Sequence, residues 1–524
     1  MRSTSMVALA LLFVSGITLT AQSTPPAQPR LEALAQSELP RAFALYRLLL
    51  SLPNDAHAPE DILRLTAFLE GEFRARGFTT ERLEMPGSDA LLAERRVPGA
   101  RRTVLVYLQA DGQPVDPSRW HQESPWTPTL KARRAGATSV DGNPADWTPL
   151  PWERLASPDP EWRIFARSAS DSKGPVTQFL SAVSAMDAAG LRPDYNLTVI
   201  VDTEEEMGSP HLPAMVARFR DRLAADLLVI FDGPPHVTGE PTLTFGARGI
   251  ARFTLTVYGP RVAQHSGHWG NYVPNPALRL AQLLSSMKND DGRVTIPGFY
   301  DGITIDAATQ RILDAIPDDT AALHRQLGIA APDRGVATSA QAALQYPSLN
   351  IRGMRAAWVG DEARTIIPPE AVAEVDVRLV KESDPARLLG LVRAHIEAQG
   401  YFVIAGRAPT DEERARYPRI ARYDSGTSYL AFRTEFDSEP GRWLRRAMVR
   451  RFGHEPVMLR TSGGSIPISP FVTTLGVPAV SLGTVNPDNN QHSPNENLRV
   501  GDFVRGIATI LSVLTEPLGA PPAR

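Results

Sequence analysis

Three short runs, TVLVYLQ at 103–109, NLTVIVDTEEE at 196–206 and ADLLVIFDG at 225–233, are apolar without alternation, and each ends on acidic or amide residues. A strand with one wet face alternates, whereas a strand that is apolar throughout is buried on both faces, as in a parallel sheet covered by helices. Helical patterns fall between the runs, GPVTQFLSAVSAMDAAG at 174–190 and HLPAMVARFRDRLAA at 211–225, and two more precede them across the turn-rich PNDAHAP. This alternation predicts an α/β fold with a mostly parallel sheet and helices on both faces. Ligands bind such sheets outside the carboxyl ends of the strands, so the polar residues that close the three runs are expected on one rim.

From about residue 243 the texture changes to alternating segments, TLTFGARGIARFTLTVYG and later EAVAEVDVRLV, with the helical patterns ALRLAQLLSSM and DPARLLGLVRAHIEAQG. Alternation suits an antiparallel sheet with one solvated face, so this part reads as a smaller α+β unit inserted into the first. The α/β texture returns in VPAVSLGTV and the closing helix VGDFVRGIATILSVLTE. A chain of 524 residues exceeds one ordinary core. The expected division is 31–242 and 403–524 for the α/β unit and 243–402 for the insertion.

The first 21 residues carry one arginine, an apolar run from about Met6 to Leu19 and Ala21 at a suitable cleavage position, and a Pro-rich linker at 22–30 follows. This predicts an exported protein, periplasmic or extracellular after signal cleavage, because the run is shorter than the ~20 apolar residues of a membrane span. Fifty-five basic and 58 acidic residues give a formal net charge of -3, so no overall field favours nucleic acid. Zero cysteines exclude disulfides and thiolate ligands, which leaves His, Asp and Glu for any transition-metal site.

The clusters at the expected rim are Gln109 and Asp111, then Asp171 in SASDSKGP, then Glu204, Glu205 and Glu206, then Asp232 in FDGPP, with His492 in NNQHSPNENL. Taken singly, each has a plain structural reading: Asp111 caps a turn, Asp171 caps a helix, the glutamates favour a helix start, and His492 is a loop residue. Together, carboxylates without matching lysines repel one another unless a cation neutralises them. Oxygen and imidazole donors of this kind are usual in metal-assisted hydrolysis.

In DGQP followed by SPW, SASDSKGP, EEEMGSP, TLTFGARG, HSGHWGNYVPNPA, TIIPPEA, GGSIPISPF and HSPNENL, in this order, the chain resembles the dinuclear zinc metallopeptidases. That family includes aminoacylase, carboxypeptidase G, succinyl-diaminopimelate desuccinylase and carnosine dipeptidase, and the dipeptidase-like branch is the most similar. The resemblance makes the α/β unit catalytic and the insertion a dimerisation lid, so a homodimer is expected. It makes Asp171 a carboxylate bridging two metals, with Glu206 and His492 completing one site and Asp232 and Gln109 the other. It makes Glu205 the general base and His265 a group reaching across the dimer to the substrate carbonyl. Arg460, Gly464 and Ser465 of RTSGGSIP match the patch that receives a substrate carboxylate, a task suited to a guanidinium and backbone N–H groups. The implied substrates are dipeptides or N-acyl amino acids. Zinc is the implied metal, one ion or two, and manganese and cobalt suit the same donors.

One corner departs from the family. Where the resemblance calls for His-x-Asp, the chain has Gln109-Ala110-Asp111. An amide oxygen is a neutral, weak ligand, so one tight metal and one loose or absent metal are expected, with the Gln109 NH2 free to donate to Asp111. His121 is the nearest histidine that could substitute. The competing reading is a catalytically silent relative that binds small peptides or scaffolds a dimer. Degeneration erodes several positions, yet Asp171, Glu205, Glu206, Asp232 and His492 all stand, which favours an enzyme.

Overall fold

The computed structural model describes residues 25–464 and 466–519, so the expected signal segment and Ser465 lie outside the described residues. Eight strands form the larger sheet, in the order Thr79–Leu83, Ala90–Arg95, Asn196–Asp202, Thr103–Gln109, Leu227–Phe231, Ala479–Leu482, Thr242–Thr244 and Val457–Leu459. The four central strands, Asn196–Asp202 through Ala479–Leu482, are mutually parallel. Val104, Val106 and Leu108 pack on one face under the helices Gln28–Ser51, Lys173–Ala188, Glu439–Phe452 and Val500–Leu514. Leu105 and Tyr107 point the other way, into a core shared with Leu212–Arg218 and Ser469–Leu475. Burial on both faces is why the runs lack alternation. The first helix begins at Gln28, inside the stretch assigned to the linker, because a proline in its opening turn lacks only an N–H that has no helical partner there.

The second sheet runs Ser348–Arg355, Glu370–Leu379, Gly249–Tyr258, Ile420–Tyr429 and Phe402–Ile404, antiparallel except for its last pair. The helices Pro276–Met287 and Pro385–Ala398 bury their apolar stripes against it. The expected boundaries shift accordingly. Thr242–Thr244 belongs to the larger sheet, paired with Val457–Leu459, whereas Ile420–Tyr429 pairs along Gly249–Tyr258 in the smaller one. Backbone pairing decides membership here, and residues 403–429 therefore extend the insertion rather than resume the α/β unit.

A four-stranded antiparallel sheet, Asn497–Arg499, Arg163–Phe165, Thr129–Arg133 and Trp147–Leu150, has no counterpart in the sequence reading. Pairing of Asn497 with Phe165 brings the loop that carries Asp171 beside the loop that carries His492. Among the described residues no helix is long and apolar enough to cross a membrane.

Candidate metal centre

Gln109 ends its strand opposite Asp202 in the parallel register, Asp232 follows Phe231, and Glu205 opens the 3-10 turn Glu205–Met207. Parallel strands deliver their carboxyl ends to one edge, so these side chains meet there with Asp171 and His492. His492 Nε2 lies 2.9 Å from Asp171 Oδ2 and 3.3 Å from Glu206 Oε2. One ligand-bearing atom from each of Asp171, Glu206 and His492 falls within 4.8 Å of the others. His492 holds a left-handed backbone, φ 61°, as does Ser168 at φ 60°, a costly conformation that the surrounding contacts must impose.

The charges here are crowded. Burial, then the Asp171 charge, pushes Glu206 up to about 8 against the opposing pull of His492. Burial and Asp171 likewise push Asp232 up to about 7, and burial, Asp232 and Asp171 raise Glu205 well above the usual carboxylate range. The hydrogen bond to Asp171 raises His492 to about 9. Buried carboxylates that repel one another around an imidazole fit a divalent cation, which would offset their charge and use the same donors. Asp171, Glu206 and His492 fit such an ion.

The other half of the rim is arranged differently. Gln109 Nε2 donates to Asp171 Oδ1 at 2.7 Å, and its buried Oε1 has no hydrogen-bond partner. Ser172 Oγ lies 3.2 Å from Asp171 Oδ1 and 3.0 Å from Asp232 Oδ1. The expected bond from Gln109 to Asp111 is not formed. The strand stops at Gln109, so the two-residue period that would place 109 and 111 on one face has already ended. Asp111 is fully buried and instead accepts the Glu206 backbone N–H at 2.9 Å, so it positions the glutamate turn rather than residue 109. Burial and the Asp202 charge hold its carboxyl well above the usual range.

Several supporting residues escaped the sequence reading. Glu496 Oε1 accepts from the backbone N–H of Asp171 and of Ser170 and from Ser170 Oγ, each at 2.9 Å. Its Oε2 accepts from Arg167 Nη1 at 2.8 Å and Ser168 N at 2.9 Å. Glu496 therefore moulds the loop that presents Asp171, and nothing local in HSPNENL distinguishes it from a solvated glutamate. Gln113 donates to Glu206 Oε2 at 2.7 Å. Asp202, at the end of its strand, accepts from Tyr107 OH at 2.9 Å and Ser209 Oγ at 2.6 Å. Glu204 faces away from the centre, paired with His211 Nδ1 at 2.8 Å.

The remaining expected residues lie apart from this cluster. His265 is exposed on the two-residue strand Gln264–His265, with its ring 4.7 Å from that of His268. Arg460 donates to Gln345 Oε1 at 2.8 Å, which ties it to the segment 296–346, and Gly464 is exposed. His121 is not in the group of side chains placed to share an ion; its backbone N–H donates to Asn495 Oδ1 at 2.7 Å and its carbonyl accepts from Lys131 Nζ at 2.8 Å.

The profile of Peptidase family M20/M25/M40 matches residues 139–516. The Cys-Gly metallodipeptidase dug1 of Schizosaccharomyces pombe is 25% identical over 490 residues, covering 90% of this chain and 94% of the relative. The Beta-Ala-His dipeptidase of Homo sapiens is 26% identical over 436 residues, covering 80% of this chain and 76% of the relative. The crystal structure of human carnosine dipeptidase 1 superimposes with a TM-score of 0.71 at 22% identity, over 94% of this chain and 99% of that one. With the family profile spanning well over half of its length, the chain belongs to peptidase family M20/M25/M40 and is a metallopeptidase.

Proposed function

We propose that this metallopeptidase hydrolyses the amide bond of dipeptides, or of N-acyl amino acids with a free carboxylate. The observation that carries the reading is the convergence of Asp171, Glu206 and His492 within 4.8 Å, beside the half-buried Glu205. The relatives are named for Cys-Gly and Beta-Ala-His cleavage, and both substrate types offer one amide bond and one terminal carboxylate. A divalent ion, with zinc the proposed species, would supply Lewis acidity and a nucleophilic water at neutral pH.

Within this scheme Glu205 is the general base. Its raised proton affinity, set by burial and neighbouring carboxylates, lets it take a proton from the attacking water and return it to the leaving amine. Asp171, Glu206 and His492 hold the ion. Asp111 and Gln113 hold Glu206 through its backbone and side chain. Arg460, with the backbone N–H groups of the loop at Gly464 and Ser465, receives the substrate carboxylate. Gln345 accepts from one Arg460 nitrogen.

The proposal includes a homodimer and export. The strand Ser348–Arg355 is a sheet edge with Ile351 and Met354 exposed, and the large apolar residues Trp358 and Val359 follow it at the surface. An open edge of this kind pairs readily with a second copy. His265 is assigned to the site of the opposing subunit. Cleavage after Ala21 is checked by the N-terminal sequence of the secreted protein.

Purified protein loaded with zinc, cobalt or manganese is offered a mixed dipeptide library that includes Cys-Gly and Beta-Ala-His. Turnover that requires metal is expected, and Glu205→Ala should lower kcat by about 10²–10⁴ while metal stays bound. Equal activity in that variant removes Glu205 from the role, and inactivity of the native protein with every metal rejects the proposed reaction.

A further inference from the structure

The two oxygens of Asp171 have separate surroundings. Oδ2 faces His492 and Glu206, the group that fits a cation. Oδ1 accepts from Gln109 Nε2 at 2.7 Å and lies 3.2 Å from Ser172 Oγ, which also reaches Asp232 Oδ1 at 3.0 Å. Where a second ion would join Asp171 to Asp232, the Ser172 hydroxyl lies within hydrogen-bond reach of both carboxylates and Gln109 donates to the Asp171 oxygen on that side.

We infer that the chain holds a single tight transition-metal ion, at Asp171, Glu206 and His492, and that Gln109 with Ser172 stands in for a second ion between Asp171 and Asp232. The inference rests on the metal-dependent reading above and deepens it. An amide N–H has no lone pair to offer a cation, so Gln109 as placed is a donor to Asp171 and not a ligand. Its Oε1, which has no hydrogen-bond partner, could offer an ion only a neutral oxygen. The second position then has no imidazole, and soft-to-borderline ions gain little from an all-oxygen set. Among the described residues, Asp171, Glu206 and His492 form the one group of three or more acidic, histidine or cysteine side chains placed to share an ion. Gln109 has a structural consequence too: its bond holds the Asp171 oxygen that faces away from His492 and Glu206.

The test is zinc stoichiometry and affinity of the full-length mature protein, by elemental analysis after dialysis and by titration calorimetry, with folding checked by circular dichroism. One equivalent is expected for the native protein and two for Gln109→His. Two equivalents of like affinity in the native protein would overturn the inference. Asp232→Asn provides an arm that does not depend on how the histidine variant folds: it should retain one equivalent, with affinity within about threefold. A loss of more than about a hundredfold, beyond what removal of an outer hydrogen-bond partner costs, would show Asp232 to be a ligand of the tight ion and overturn the inference. No tight zinc in any of these proteins would overturn the metal-centre reading itself.

Discussion

Replacing Glu496 with glutamine changes one heavy atom and should destabilise the protein severely. The carboxylate is buried and accepts five hydrogen bonds, three on Oε1 and two on Oε2. Glutamine offers one oxygen, so in its better orientation its NH2 faces Arg167 and the Ser168 N–H, and both donors lose their acceptor. A buried donor left unmet costs about 1–3 kcal/mol, and leaving a buried ion pair one-sided costs about 3–5 kcal/mol. The Ser168 N–H carries the first figure and the buried Arg167 the second, so the combined loss is about 4–8 kcal/mol, a large share of the 5–15 kcal/mol typical of a folded domain. Urea unfolding of Glu496→Gln measures it. The double variant Glu496→Gln/Arg167→Met should recover part of the loss, because the uncompensated charge is gone. A second readout is zinc affinity, expected to fall about 10–100-fold because the Ser168 end of the loop that presents Asp171 loses its acceptor. A single variant within about 1 kcal/mol of native, with unchanged zinc affinity, refutes the reasoning.

Three further outcomes follow from the same contacts. Gly112→Ala should destabilise by about 1–3 kcal/mol in thermal unfolding, since a Cβ there overlaps Ser168 Oγ and presses on Asn54 Nδ2 at 3.0 Å; an unchanged Tm contradicts that. Chelated protein should lose stability steadily as pH rises from 5 to 9. Glu206 and Asp232 are raised to about 8 and 7, and His492 to about 9, so the folded state binds more protons than the unfolded chain in that window. Excess zinc should flatten the profile, and a chelated protein that gains stability with pH would show the crowding to be absent. Met354→Glu on the exposed edge strand should shift the proposed dimer to monomer in sedimentation velocity, and a monomeric native protein removes the dimer proposal.

Much of the centre was legible in the residues because chemistry at a parallel-sheet rim is written in strand ends. The runs ending at Gln109, Asp202 and Phe231 lie side by side as their apolar texture requires, and the loops between them supply Asp171, Glu205, Glu206 and Asp232. Glu496 was illegible because its partners at 167–171 are more than 300 residues away, and only the pairing of Asn497–Arg499 with Arg163–Phe165 brings them together. The boundary at 402 failed for a related reason: Ile420–Tyr429 is assigned by its partner strand, and a strand's own sequence does not name its neighbour.

By itself, then, the sequence determined which side chains could bind a cation and that they would share an edge, since burial on both faces forces apolar strands into a helix-covered parallel sheet. It also determined that Gln109 is not a histidine. Only the tertiary structure decided what that glutamine does. A side-chain amide can donate or accept, and the choice is made by the nearest partner in space, which is the Asp171 carboxylate and not Asp111 two residues along.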